Sequence, residues 1–182
     1  MGDGLSEFVR SSHRLGSVAP RRALLTHHLH IRTSSHLHIF KKFPPPMQVK
    51  YLIIHCTATA QGRDFTARDV DRWHRAKGWD GIGYHYLIRL DGTIEPGRPE
   101  TRVGAHCAGL NSISLGICYV GGLLPDGRTP ADTRTIQQKA ALLALLRRLK
   151  KKYPTARIVG HHHFNSHKAC PCFDADTEYA NL

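Results

Sequence analysis

The sequence predicts an α/β protein with a central, mainly mixed β-sheet that is flanked by helices on both faces. Short apolar segments rich in β-branched residues recur along the chain, and two segments with helical spacing lie between them. This alternation of strands and helices is typical of a sheet that is covered on both faces. With 182 residues, 41% of them hydrophobic, the chain is long enough for one domain with a sizeable core.

The first half of the patterned region supplies three strands and one helix. Residues 49–55, VKYLIIH, form an apolar run that predicts a buried strand. Residues 66–78 open with a threonine suited to capping, carry apolar residues at helical spacing and end in glycine, which predicts a helix. Residues 84–90 predict a second strand. A tight turn at 91–93 then leads to a short strand at 94–95.

The second half supplies two strands and the longer helix. Residues 114–122, SLGICYVGG, are continuously apolar, which indicates a central strand. Residues 132–153 repeat alanine and leucine at helical spacing and carry basic residues on the opposite side, which predicts an amphipathic helix. Residues 156–160, ARIVG, predict a further strand.

Residues 1–46 differ in character from residues 47–182. They contain seven Lys or Arg, two acidic residues and six histidines, show no sustained apolar period and end in three prolines. One interpretation is a basic arm that touches an anionic surface. The interpretation we favour is a disordered extension upstream of a domain that begins at Met47.

The composition limits the classes of function. A formal net charge of +12 favours an anionic partner such as nucleic acid, an acidic cell wall or a membrane surface. No apolar run approaches the roughly 20 residues of a membrane span. Without a cleavable signal peptide, we expect a protein that is cytoplasmic as synthesised. Paired ligand motifs and a reading helix are also missing, which argues against nucleic acid.

The cysteines and histidines near the C-terminus point to a metal. Five cysteines without regular spacing indicate reduced thiols, one of them a candidate ligand. His55 ends one predicted strand, and His161 begins the loop HHHFNSHKACPCFD (161–174) after another. If these strands are neighbours, both residues meet in one cleft. Two histidines and one cysteine leave a fourth tetrahedral position for water, as in catalytic zinc sites.

Four segments of the chain resemble the type-2 N-acetylmuramoyl-L-alanine amidases, which include phage lysozyme-type amidases and are related to the peptidoglycan recognition proteins. The segments are IIHCTAT (53–59), the run from 73 to 99, the run from 103 to 122, and KACPCFD (168–174). The resemblance implies a single amidase domain that is a monomer and holds one Zn²⁺ per chain. It also implies hydrolysis of the amide between N-acetylmuramic acid and L-alanine in peptidoglycan or its muropeptides.

The resemblance assigns the zinc ligands to particular residues. It implies His55 as the first histidine ligand and Cys170 as the thiolate ligand. For the second histidine, the start of the loop after Gly160 selects His161. The commonest spacing counted back from Cys170 selects His162 instead. We prefer His161, and the register stays open between these two residues.

The resemblance also implies Tyr84 and Lys168 as catalytic residues and His106 as a substrate contact. Tyr84 would orient water or relay its proton, and the Lys168 ammonium would stabilise the developing oxyanion. A solvated loop histidine is the alternative for His106. A non-catalytic peptidoglycan-binding module of the same fold is the alternative for the whole protein. Binders of this kind typically lose the zinc cysteine, and this chain retains Cys170.

Overall fold

The computed structural model describes residues 47–182, and the interpretations of residues 1–46 lie outside the described residues. The elements follow in this order: β1 (Tyr51–Cys56), β2 (Thr59–Ala60), α1 (Ala67–Ala76), β3 (Tyr86–Ile88), β4 (Ile94–Pro96), β5 (Ser114–Tyr119), β6 (Gly122–Leu123), α2 (Ile136–Lys152), β7 (Arg157–Gly160) and α3 (Ala175–Glu178). No helix among these residues combines the length and the apolar character that crossing a bilayer requires.

The central sheet is mixed, as the sequence predicts. Its strand order is β4–β3–β5–β1–β7, and all neighbouring pairs are parallel except β3 and β4, which form an antiparallel pair. The strands β2 and β6 form a separate parallel pair. Because β1 lies beside β7, the carboxyl ends of these two strands open onto the same edge of the sheet.

Alternate residues of β1 face opposite sides of the sheet. Leu52 and Ile54 belong to the main core, which they share with the buried leucines of α2. Ile53 faces the other side, where it packs with Val159 and Cys107. On that second face, α1 contributes Val70, Trp73 and Ala67 to a cluster around β3 and β5. Helices therefore cover both faces, which confirms the predicted fold class.

Capping boxes begin both long helices. Thr66 Oγ1 accepts a hydrogen bond from Asp69 N–H, and Asp69 Oδ2 accepts one from Thr66 N–H. Thr135 and Gln138 repeat this pattern at the start of α2. Such a cap contributes about 1 kcal/mol of stability. The Gln138 amide also donates to backbone oxygens at the ends of β3 and β5, which fixes the start of α2 on the sheet.

The strand predicted over residues 84–90 is shorter in the structure. It spans Tyr86–Ile88, so Tyr84 lies just before β3. Gly83 explains the difference, because a Cβ at this position would lie 2.0 Å from the carbonyl oxygen of Ala105. The loop that contains Ala105 packs directly against this backbone, and Ala105 N–H donates to Gly83 O over 3.0 Å. Regular strand geometry therefore begins only after the close approach.

Candidate functional site

Three candidate ligands come together where β1 and β7 end. His55 lies near the end of β1 and is 1% exposed, and His161 follows directly after β7. The rings of these two histidines lie 4.5 Å apart between centroids. Cys170 Sγ lies 3.8 Å from His55 Nδ1. One donor atom from each of the three residues falls within 4.8 Å of the other two.

Hydrogen bonds fix the loop that carries Cys170. The backbone N–H of Cys56 donates to Cys170 Sγ over 3.3 Å, which ties the sulfur to the end of β1. The N–H of His162 donates to the Cys170 carbonyl over 2.8 Å. The buried Tyr119 hydroxyl donates to the carbonyl of Pro171 over 2.6 Å. The sulfur therefore has a defined position beside His55.

The structure brings His161, rather than His162, together with His55 and Cys170. The His162 Nε2 atom lies 3.9 Å from Asp176 Oδ2, and it belongs to a second group with Asp176 and Asp174. The two adjacent histidines therefore belong to different polar groups. This arrangement is the one expected if His161 is the second ligand.

His106 lies directly behind His55. It is 8% exposed, and its Nδ1 lies 3.1 Å from His55 Nε2. Gly116 in β5 makes this contact sterically accessible, because a Cβ there would lie 2.5 Å from His106 Cγ. Substrate contact by His106 stays a prediction. The ring N–H of His55 needs a hydrogen-bond partner, and His106 is in position to be that partner.

Ser114 determines the direction of the hydrogen bonds that run from His55 through His106 to Ser114. Ser114 Oγ donates to the carbonyl of Leu110 over 2.7 Å, so its oxygen is free to accept. His106 Nε2 lies 3.5 Å from that oxygen. A proton on His106 Nε2 leaves His106 Nδ1 as an acceptor for His55 Nε2–H. In this tautomer His55 presents Nδ1 to Cys170, and that nitrogen carries no proton.

The surroundings keep these imidazoles neutral. Burial, followed by the proximity of His106, His161 and Lys168, holds the pKa of His55 well below its ordinary value. Burial, followed by nearby His85, lowers the pKa of His106 to about 3. Burial and then Lys168 lower the pKa of His161. A metal binds a ring nitrogen that carries no proton. The lowered pKa values therefore leave these imidazoles able to bind a metal at neutral pH.

An open cavity of about 350 Å³ lies beside the cluster. Lys168, His161 and His106 line this cavity. The other lining residues are Trp79, Ala105, Cys107, Ala108, Asn111, Phe164 and Asn165. Trp79 is 42% exposed and borders the cavity. Its ring packs on His74 of α1, with 4.6 Å between the ring centroids.

Tyr84 and His85 approach the histidines from the segment before β3. The rings of Tyr84 and His55 lie 5.1 Å apart between centroids. Burial, and then Cys118, raises the pKa of Tyr84 well above its usual value, so the hydroxyl keeps its proton. His85 Nδ1 accepts from Gly116 N–H over 3.0 Å, which agrees with a structural role. Neither residue belongs to β3, which begins at Tyr86.

Sequence comparisons agree with this geometry. A family model described as N-acetylmuramoyl-L-alanine amidase matches residues 45–173. The endolysin of Enterobacteria phage K11 is 41% identical over 133 residues, which cover 73% of this chain and 87% of that protein. The endolysin of Escherichia phage T7 is 41% identical over 123 residues, which cover 68% of this chain and 80% of that protein.

Solved structures share the fold. The N-acetylmuramoyl-L-alanine amidase LysC from Clostridium intestinale is 33% identical with a TM-score of 0.61, covering 72% of this chain and 82% of that one. Drosophila PGRP-LB is 27% identical with a TM-score of 0.61, covering 74% and 81%. Because the family match spans most of the chain and the phage endolysins are 41% identical, the chain belongs to the N-acetylmuramoyl-L-alanine amidase family and is an enzyme of that activity.

Proposed function

We propose that this amidase depends on one zinc ion per chain, held by His55, His161 and Cys170. Its reaction would be hydrolysis of the amide that joins N-acetylmuramic acid to L-alanine in peptidoglycan. The observation that carries the proposal is the convergence of two neutral imidazoles and one thiol, with donor atoms within 4.8 Å of one another, beside an open cavity.

The donor set fits zinc in chemistry and spacing. Zinc binds imidazole nitrogen at about 2.0–2.1 Å and thiolate sulfur at about 2.3 Å in a tetrahedron, which separates ligand atoms by roughly 3.3–3.7 Å. The 3.8 Å between His55 Nδ1 and Cys170 Sγ agrees with that separation. Three protein ligands would leave the fourth tetrahedral position for water, as in catalytic zinc sites. When bound, zinc would supply Lewis-acid polarisation of the amide carbonyl and of a water molecule.

Lys168 would stabilise the charge that develops on the carbonyl oxygen. Its side chain lines the cavity beside His161, and its charge is close enough to lower the pKa values of His55 and His161. An ammonium group in this place favours the tetrahedral oxyanion over the neutral amide, which lowers the barrier. Lys168 is exposed, so an entering substrate can reach its ammonium group.

Tyr84 would serve as a hydrogen-bond donor that stays protonated through the reaction. Its raised pKa rules out a phenolate at neutral pH and suits a hydroxyl that orients water or a substrate oxygen. The His55 ring lies beside it at 5.1 Å. Tyr84 therefore complements Lys168, with one neutral donor and one cationic group contributed from different parts of the chain.

Digestion of purified peptidoglycan tests the reaction. An amidase releases new amino groups on L-alanine and no new reducing sugar ends. New reducing ends would indicate a glycosidase. Binding of the wall without either product would indicate a non-catalytic module of the same fold.

Metal analysis of two adjacent variants tests the ligand set. His161→Ala should lose zinc and hydrolysis, whereas His162→Ala should keep both, because His162 faces Asp176. The two changes remove the same side chain one residue apart, so each controls for the other. Zinc retained in His161→Ala and lost in His162→Ala would shift the register by one residue. Zinc retained in both would contradict the site.

A further inference from the structure

Two cysteines outside the proposed zinc ligands face each other beside them. Cys56 follows His55 at the end of β1, and Cys172 lies two residues after Cys170. Their sulfur atoms lie 3.7 Å apart. Cys107 and Cys118 pack in two separate clusters, which leaves the proposed zinc ligand Cys170 as the other thiol beside Cys56.

Gly122 and an unusual backbone conformation hold the two sulfur atoms in this position. A Cβ at Gly122 would lie 2.5 Å from Cys56 Sγ and 3.5 Å from Cys172 Sγ, so the glycine provides the space for the pair. Cys172 has a φ of 69°, in the left-handed region that non-glycine residues seldom adopt. Its N–H donates to the Ala169 carbonyl over 2.6 Å, which stabilises the turn. A strained cysteine that faces a second thiol points to a role for the sulfur.

We propose that Cys56 and Cys172 form a disulfide bond when the protein meets an oxidising medium. The bond would cross-link the end of β1 to the loop that carries Cys170 and Lys168. The sulfur atoms need to move from 3.7 Å to about 2.05 Å apart. Cys172 is partly exposed, so an oxidant can reach it, whereas Cys56 is buried behind it.

Glutathione disulfide can serve as the oxidant. The Cys172 thiolate attacks one glutathione sulfur, which forms a mixed disulfide and releases one glutathione thiolate. The Cys56 thiolate then attacks the Cys172 sulfur, which forms the protein disulfide and releases the second glutathione thiolate. The two protein thiols lose two protons and two electrons, and one glutathione disulfide is reduced to two glutathione thiols.

The cross-link should stabilise the domain and its metal site. A bond between residues 56 and 172 closes a loop of more than 100 residues, which restricts the unfolded chain. We expect the oxidised protein to melt roughly 10 °C higher than the reduced protein. The bond also limits the separation of the segments that carry His55 and Cys170, so zinc loss to a chelator should slow. Only this last expectation rests on the proposed function.

Peptide mapping of the zinc-loaded full chain tests the proposal. The protein is incubated with glutathione disulfide, free thiols are alkylated, and the digest is analysed by mass spectrometry without reduction. We expect a linked peptide pair that contains Cys56 and Cys172, with two of the five thiols lost. Cys172→Ser should abolish both the linked pair and the difference in melting temperature. The matched control Cys107→Ser should preserve them.

Three outcomes would overturn the proposal: five thiols that all resist oxidation, glutathione that stays attached to Cys172, or a link through Cys170. The metal content of the same samples separates this proposal from the proposed function. A Cys56–Cys172 link in a protein that binds no zinc contradicts only the zinc assignment. Zinc without the link contradicts only the disulfide.

Discussion

The two faces of the central sheet are built by alternate residues of the same strands, but they differ in chemistry. The face covered by α2 buries aliphatic side chains, with Leu52 and Ile54 of β1 against the leucines of the helix. The opposite face buries imidazoles at its centre. His55 and His85 are each 1% exposed there, and His106 lies between them, with ring centroids 5.1 Å and 5.7 Å away. We call these the α2 face and the histidine face.

The contrast shows how one sheet separates stability from chemistry. Apolar burial on the α2 face contributes about 1.5–3 kcal/mol for each leucine. Buried polar groups on the histidine face must instead find hydrogen-bond partners, or their desolvation destabilises the fold. Within residues 47–182, the hydrogen bonds of His55, His85 and His106 go to each other, to backbone groups, to Ser114 or to Cys170 Sγ, not to a carboxylate. The imidazoles therefore stay neutral and can serve as ligands.

Removing a leucine from the α2 face should have the largest effect. Leu145 is 1% exposed within the main core, so Leu145→Ala should lower the free energy of unfolding by about 2–5 kcal/mol. Turnover per folded molecule should not change, because Leu145 belongs to the other face from the site. Urea unfolding and peptidoglycan hydrolysis measure the two quantities.

The same helix offers a control for this change. Ile136 is 85% exposed at the start of α2, so Ile136→Ala should change stability by less than about 0.5 kcal/mol. Equal effects of Leu145→Ala and Ile136→Ala would mean that α2 does not pack as described. A large loss of turnover in folded Leu145→Ala would mean that the two faces are coupled.

Lys168→Ala should have the next largest effect. We expect it to lower the rate of hydrolysis without changing stability. If the Lys168 ammonium stabilises the oxyanion as proposed, its loss should lower turnover by about 10²–10³-fold while zinc content and the melting temperature stay unchanged. Lys168 is exposed, so truncation leaves no cavity in the core. The exposed Lys151 of α2 gives a charge-matched control, and Lys151→Ala should keep full turnover.

Tyr84→Phe extends this test to a neutral donor. It removes only the hydroxyl, so the fold and zinc should survive while turnover falls. Full hydrolysis in both Lys168→Ala and Tyr84→Phe would mean that neither side chain takes part in the chemistry.

The sequence predicts the α2 face more completely than the histidine face. Apolar periodicity alone locates β1, β5 and both long helices to within a few residues, because burial of regular elements leaves a regular pattern. Cys170 and His161 lie in or next to sequence motifs that match the amidase family, so the resemblance identifies them. The capping threonine predicted for the first helix is confirmed at Thr66. Within the predicted 132–153 segment, the helix begins only at Ile136, after a cap at Thr135.

Apolar periodicity does not predict the features of the site that depend on how loops pack. The contact between His106 and His55 requires the loop after β4 to fold back over Gly116. Gly116, as a glycine inside an otherwise apolar strand, was the available signal for a close approach there. The exposure of Trp79 and the late start of β3 at Tyr86 also follow from loop contacts. No periodic pattern encodes these contacts.

Changing His106 should affect the metal more than the fold. If His106 orients His55, His106→Ala should weaken zinc affinity by about 10–100-fold in a chelator competition. His106→Gln should recover part of the loss, because its amide oxygen can accept from His55 Nε2–H. His167→Ala, an exposed loop change, serves as the control. Unchanged zinc affinity with weaker turnover of wall fragments would leave substrate contact as the only role of His106.

The smallest expected effect concerns a carboxylate that borders the α2 face. Burial alone would raise the pKa of Glu100, but hydrogen bonds from Lys152, Tyr153 and Tyr86 lower it from 4.5 to about 2. Because the folded pKa lies below the unfolded value, the stabilisation is present above pH 4.5. It is lost as the pH falls from 4.5 towards 2. We expect a contribution on the order of 1 kcal/mol, since water screens a partly exposed carboxylate.

Glu100→Gln tests this acid dependence. The variant should be less stable than the original protein at neutral pH, and the difference should shrink below pH 4.5, where the original carboxylate also becomes protonated in the unfolded chain. Thermal melts across this pH range measure the difference directly. A difference that does not vary with pH would mean that Glu100 acts through packing rather than charge. If the stability difference between the two proteins grew as the pH fell, the charge of Glu100 would destabilise the fold. Glu100 would then not belong to the interactions that hold α2 on its face of the sheet.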